Sequence, residues 1–287
     1  MKRFLTILLV IAAILALTSC DQKAATAASD ANTQSAAPAD GGKSDAGAQS
    51  GENADPTGGE QSGENIAPVP STMTQKHIRT TEIENFGYWL YTPSDPVPDM
   101  PLIVYLHGGS GKGSDLDLLT GADGFPQYLQ EGRLGNVRAY VVMPQLPDTF
   151  RGWTNAKQPL MTLIRSIKSN YGINENKISL TGHSMGGTGA WGIALEYPAT
   201  FSRVAPMSGS VQNNETNLNK LSAVPVWAFV GSADTIVSPD TSVNFINALR
   251  ERNAAARITM FEGATHFDVP SLAYLDQTID IVGWLIG

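Results

Sequence analysis

One ten-residue stretch, Ile178-Ser179-Leu180-Thr181-Gly182-His183-Ser184-Met185-Gly186-Gly187, constrains the fold of this chain more than any other. Turn residues precede it, and apolar Ile178 and Leu180 predict a short strand over 177–181. A helical pattern then runs from Met185 to Tyr197, where Pro198 stops it. Between the two elements lies a single serine, with a glycine two residues before it and another two after it. A serine on so tight a strand-to-helix turn takes a strained backbone conformation, and a Cβ at either flanking position would meet the neighbouring elements. The turn lifts the hydroxyl clear of the sheet and sets the amide of Met185 at a helix start, where developing negative charge is stabilised.

The rest of the folded part repeats the alternation of strand and helix. Residues 77–91, rich in aromatics and closed by Pro93, predict one or two antiparallel strands at a sheet edge. Continuous apolar runs at 101–106, 138–143, 201–207, 225–230 and 258–262 predict strands, several of them buried on both faces. Helical spacing is expected loosely over 116–129, then at 160–170, 239–253 and 270–285. The connection 211–223 is short and polar, too brief for a helical cap domain. This pattern implies an α/β fold: a mostly parallel twisted sheet with helices on both faces and no large cap. Ligands of such sheets bind at the carboxyl ends of the strands. Gly109, Ser184, Asp234 and His266 all fall just past strand ends, so they should gather on one edge.

The residues at that edge suit nucleophilic catalysis. A serine hydroxyl is almost wholly protonated at neutral pH and needs a neighbouring base. The chain has four histidines, His77, His107, His183 and His266. His266 follows the last strand among small residues and is the expected base. The base in turn needs a carboxylate that fixes its tautomer. Asp234 directly follows a strand end and is the expected partner. Asp240 and Asp268 are rivals, the first placed near a helix start and the second only two residues from His266. The loop His107-Gly108-Gly109-Ser110-Gly111-Lys112-Gly113 has Gly where a phosphate-binding loop needs Ser or Thr after Lys112, and that reading is rejected. Its glycines instead let backbone approach a reacting carbonyl, with the amides of Gly109 and Met185 as the expected oxyanion donors. Trp153 follows a strand end and could line the substrate pocket, although a core or surface place is equally open. No metal or cofactor is expected, since metal-ligand spacings are missing.

The pieces Leu106-His107-Gly108-Gly109, Gly182-His183-Ser184-Met185-Gly186-Gly187, Gly231-Ser232-Ala233-Asp234 and Thr265-His266 resemble those of α/β-hydrolases, including the chain order Ser, Asp, His. From about residue 80 onward the chain is similar to single-domain bacterial esterases of the "predicted peptidase" group, which are themselves akin to dienelactone hydrolases, feruloyl esterases and polyhydroxybutyrate depolymerases. The resemblance implies an α/β-hydrolase fold and acyl transfer from an ester substrate by Ser184, Asp234 and His266. A serine peptidase on the same fold and a non-catalytic surface-binding protein are the alternatives.

The first seventy residues have a different composition. Lys2 and Arg3 precede a 14-residue stretch, Phe4 to Leu17, that is apolar but for Thr6. Its length fits a signal-peptide core and not a membrane span. It ends in Leu17-Thr18-Ser19-Cys20, which resembles the bacterial lipobox and makes Cys20, the only cysteine, the expected lipidation site. An ordinary secretory signal is the alternative. Residues 21–65 contain no Ile, Leu, Val, Met, Phe, Tyr or Trp. They cannot bury enough apolar surface to fold. The expected organisation is therefore a lipoprotein signal peptide (1–20), a low-complexity linker (21–70) and a catalytic domain (71–287). That places the domain outside the cytoplasm, held at the bacterial envelope by a lipid anchor. Residues 21–70 carry eight acids against two lysines, whereas 71–287 carry 19 acids and 15 bases. The formal net charge of −8 thus resides largely in the tail, and no basic patch invites nucleic acid.

Overall fold

A computed structural model describes residues 70–121 and 124–287. The expected signal peptide, Cys20 and the linker up to residue 69 lie outside the described residues. The apolar runs form eight strands: β1 (Thr72–Ile78), β2 (Phe86–Thr92), β3 (Leu102–Leu106), β4 (Tyr140–Pro144), β5 (Ile178–His183), β6 (Arg203–Met207), β7 (Trp227–Gly231) and β8 (Arg257–Phe261). They make one sheet in the order β1-β2-β4-β3-β5-β6-β7-β8. β1 and β2 run antiparallel to their neighbours, and the other pairs are parallel. The aromatic segment at 77–91 is thus the hairpin-like edge that its alternation implies.

The helices are α1 (Asp117–Thr120), α2 (Phe125–Gln130), α3 (Lys157–Tyr171), α4 (Met185–Glu196), α5 (Glu215–Lys220), α6 (Asp240–Arg250), α7 (Val269–Tyr274) and α8 (Ile281–Ile286). They cover both faces, which is why all five residues of β3 are buried. Leu102, Val104 and Leu106 join a core with Leu163 and Ile167 of α3, Trp191 of α4 and Phe245 of α6. Ile103 and Tyr105 point the other way, into a second core with Phe125 and Tyr128 of α2, Tyr274 of α7 and Leu285 of α8. The period of two along the strand assigns one side chain to each layer in turn.

Four expectations need correction. The closing helix over 270–285 is two helices. Asp276 accepts hydrogen bonds from the amide and hydroxyl of Thr278 at 2.8 and 2.6 Å, and Asp280, at φ 45°, caps α8 through the Gly283 amide. These carboxylates offer the backbone local partners that compete with a continuous helix. The stretch 116–129 likewise splits into α1 and α2. α3 begins at Lys157 and not at 160, because Pro159 sits in its first turn, where a missing N–H costs nothing. The polar connection 211–223 contains α5, capped by the Asn214 side chain and anchored by buried Leu218. At six residues it remains far too small for a cap domain.

Candidate active site

The serine turn is assembled from close backbone approaches. β5 pairs with β3 so that Gly182 lies opposite Leu106. A Cβ on Gly182 would stand 2.5 Å from the Leu106 carbonyl oxygen and 2.7 Å from that of Gly186. A Cβ on Gly186 would collide with the same Leu106 carbonyl, and one on Gly187 with the Met207 carbonyl at the end of β6. Only hydrogen at these positions lets β3, β6 and α4 converge. Ser184 sits at the convergence with φ 60° and ψ −119°. A non-glycine residue held there stores on the order of 1–3 kcal/mol, retained only because surrounding structure over-determines it. Its amide donates to the Met207 carbonyl at 3.0 Å, and its carbonyl opens α4 by accepting from Thr188 at 2.9 Å.

The expected carboxylate and base, Asp234 and His266, lie in the loops that follow β7 and β8. Asp234 Oδ2 accepts from Nδ1 of His266 at 2.7 Å, and both residues are buried. Burial by itself would raise the Asp234 carboxyl. The amides of Val237 and Ile236, each 2.9 Å from Oδ1, together with His266, outweigh that effect and hold it below its ordinary value. The bond fixes the His266 tautomer with the proton on Nδ1, which leaves the Nε2 lone pair free to accept. The two loops are braced against each other: Ala233 donates to the Ala264 carbonyl at 2.9 Å, and a Cβ on Gly231 would strike that same carbonyl. Neither rival hydrogen-bonds to the His266 ring. Asp268 accepts from the amide and hydroxyl of Thr265 at 2.7 and 2.6 Å, and Asp240 is the first residue of α6.

Ser184, His266 and Gly109 line one cleft of about 470 Å³. The amides of Gly109 and Met185 donate to no acceptor among the described residues. Both are therefore available to a substrate oxygen. The loop that carries Gly109 is clamped by His107. That ring donates from Nδ1 to the Gly108 carbonyl at 2.6 Å and accepts at Nε2 from the Leu146 amide at 2.9 Å. Trp153 belongs to this clamp. It is almost wholly buried, donates from Nε1 to the His107 carbonyl at 3.0 Å, and packs on Gly189 of α4. The expectation that Trp153 lines the cleft is corrected: it is a core residue beneath the loop. The cleft is lined instead by Tyr105, Leu118, Leu119, Pro126, Ile236 and Phe267. Sequence reasoning missed these. Their signal is weak because they come from five separate segments that only the topology unites.

His183 has a supporting place. Its Nε2 donates to the His266 carbonyl at 2.8 Å, and the two rings lie 4.6 Å apart. Desolvation first, then the neighbouring His266, lower its pKa to about 4, so the ring is neutral when it donates. Replacing His183 by alanine removes this strut from the main chain of the base. A misplacement of about 1 Å can cost up to about 100-fold in rate. The expected outcome is a comparable fall in kcat with little change in KM, read from initial rates on any turned-over substrate.

Acid should weaken the fold in a defined window. Burial also lowers His107 to about 4. In the unfolded chain both histidines protonate near 6.5, so the unfolded state takes up protons first as pH falls. Stability is undiminished above that value, declines between about 6.5 and 4, and has lost on the order of 3 kcal/mol per histidine below 4. The Asp234 contribution runs in the same direction but only below about 4, because its folded pKa is depressed. Urea unfolding midpoints between pH 7 and pH 4 measure this directly; a flat profile would contradict the buried, neutral histidines.

Residues 142–272 match the model of the dienelactone hydrolase family. The chain is similar to a thermostable esterase of known structure, with 26% identity and a TM-score of 0.65, over 74% of this chain and 62% of that one. It thus spans about three fifths of that esterase's length. It also resembles the feruloyl esterase module from Clostridium thermocellum (16% identity, 70% of this chain and 84% of that one, TM-score 0.53). A third likeness is to an S-formylglutathione hydrolase from Staphylococcus aureus (17% identity, 76% and 97%, TM-score 0.55). No curated relative matches the chain. The strand order, the serine turn between β5 and α4 and these likenesses together identify the chain as a protein of the α/β-hydrolase fold and superfamily.

Proposed function

We propose that the protein is a serine carboxylic ester hydrolase that works through an acyl-enzyme. The observation that carries this reading is the buried 2.7 Å bond from His266 Nδ1 to Asp234, in a cleft shared with the strained Ser184. In the first half-reaction His266 Nε2 takes the proton from Ser184 Oγ as the oxygen attacks the ester carbonyl carbon. The oxyanion accepts from the Gly109 and Met185 amides, each such donor contributing about 3–4 kcal/mol to the transition state. The carbonyl then re-forms, the C–O bond to the alcohol breaks, and His266 gives the proton to the departing alkoxide. In the second half-reaction His266 deprotonates a water that attacks the acyl-enzyme, and Ser184 leaves with the proton restored. Asp234 remains ionised throughout and stabilises the imidazolium.

Two features favour esters over charged peptide ends. Among the described residues, none that lines the cleft carries a formal charge. A free α-amine or a carboxylate on the substrate would find no counter-ion among them. Three large apolar residues at the cleft, Leu118, Ile236 and Phe267, are 44%, 58% and 70% exposed, an apolar mouth suited to neutral esters. The likeness to esterases supports the same choice. We place the enzyme outside the cytoplasm, tethered by a lipid on Cys20, and assign it small or polysaccharide-linked extracellular esters. The test is turnover of p-nitrophenyl esters from acetate to laurate beside methyl ferulate and a peptide anilide. Ester turnover is expected; anilide cleavage without ester turnover would replace this reading with a peptidase.

A further inference from the structure

Tyr105 is the penultimate residue of β3 and lines the cleft, yet only 6% of its surface is exposed. Its ring packs 5.5 Å from Phe125. Its hydroxyl has no hydrogen-bond partner among the described residues. The contrast with its neighbour is informative: Tyr274, also buried, has its hydroxyl 2.7 Å from Thr181 Oγ1. The hydroxyl opens onto the cleft, unlike the enclosed hydroxyls of Tyr91 and Ser208, so a substrate that covered it without pairing would cost about 1–3 kcal/mol. Burial raises the Tyr105 phenol well above its usual value, which keeps it a neutral donor and acceptor.

Resting on the ester hydrolase reading, we propose that Tyr105 is a specificity-determining residue, whose hydroxyl pairs with a polar group at the far end of an otherwise apolar, neutral substrate arm. The arm enters past Ile236 and Phe267, lies against Leu119 and Pro126, and ends at Tyr105. In the sheet Tyr105 is in register with Thr181, three residues before Ser184, which is roughly 10 Å of strand. A ring on a short tether spans that length. An arm lacking the polar group would fill the same space but leave the Tyr105 hydroxyl desolvated and unpaired. An arm carrying a charge would meet no counter-ion among the described residues that line the cleft.

The test uses the full-length protein and matched probes. One pair is p-nitrophenyl 3-(4-hydroxyphenyl)propanoate and its isosteric 4-methyl analogue; the other is the acetates of the corresponding 3-arylpropanols, because the arm belongs to either the acyl or the alcohol side. In one of the two series the wild type should prefer hydroxyl to methyl by about tenfold in kcat/KM. Tyr105→Phe should erase that preference by slowing the hydroxyl probe and not the methyl probe, and keep the melting temperature at or above that of the wild type, since no internal bond is lost. Equal rates for hydroxyl and methyl in both series would overturn the proposal, as would a preference that survives in Tyr105→Phe. Acetate turnover without a hydroxyl preference rejects this inference alone. No turnover of acetate rejects the ester reading, and the inference with it.

Discussion

Ser184→Ala is expected to lower kcat on p-nitrophenyl acetate by about 10⁵- to 10⁶-fold, the loss seen when the nucleophile of a triad is removed. The size follows from how completely the fold is arranged around this one oxygen. The Asp234–His266 pair is assembled without Ser184, and the Gly109 and Met185 amides are free of it. The variant should therefore keep its fold, its cleft and its oxyanion donors, and lose only the covalent route. The residual rate should exceed that of water by about 10³- to 10⁴-fold, from binding and the oxyanion donors. Stability should not fall, because alanine keeps the Cβ that meets the strained φ of 60° and the Ser184 hydroxyl has no hydrogen bond to lose among the described residues. Initial rates and a thermal melt on the same preparation check both parts.

Gly186→Ala is expected to have the largest effect on stability. The new Cβ would overlap the Leu106 carbonyl oxygen and press on that of His107 at 2.8 Å. Neither is the free end of a flexible side chain; both are backbone of β3 and of the loop that positions Gly109. Relief demands that α4 move away from the sheet, and α4 carries buried Trp191 and Ile193 into the larger core. Overpacking a close-packed core costs about 1–3 kcal/mol even where side chains can give way, and more where backbone must move. The variant should be poorly soluble or melt well below the wild type. Gly109→Ala is the contrast, since an added Cβ there meets nothing within 4 Å. A near-normal melt for Gly186→Ala would show that β3 and α4 do not approach as closely as described.

Much of this arrangement was legible in the residues because the relevant signals are local. The elbow is a run of ten residues whose glycines, strand and helix all announce the same turn. Asp234 and His266 were findable because each directly follows an apolar strand run, and parallel strands deliver their following loops to one edge. What stayed hidden depends on competition or on distance. The break between α7 and α8 turns on whether Asp276 and Asp280 bond to their own backbone or leave a helix to continue, and periodicity is silent on that choice. Trp153 sits next to a strand end, as cleft residues do, but Gly189 leaves a hollow in α4 that takes its ring. That partnership spans 36 residues of sequence. Tyr105 reads as one more apolar residue in a buried strand until the topology shows which layer it faces. That its hydroxyl opens onto the cleft with no partner among the described residues becomes visible only with its neighbours in place.

The measurement that bears most directly on the central claim is covalent labelling by a fluorophosphonate, followed by intact mass and peptide mapping. It asks only whether one serine is activated, whatever the substrate. A single adduct on the peptide that carries Ser184, absent in Ser184→Ala and strongly slowed in His266→Ala, is the expected result. No adduct, or an adduct on another serine that persists in Ser184→Ala, would contradict the assignment of Ser184, His266 and Asp234 as a working triad.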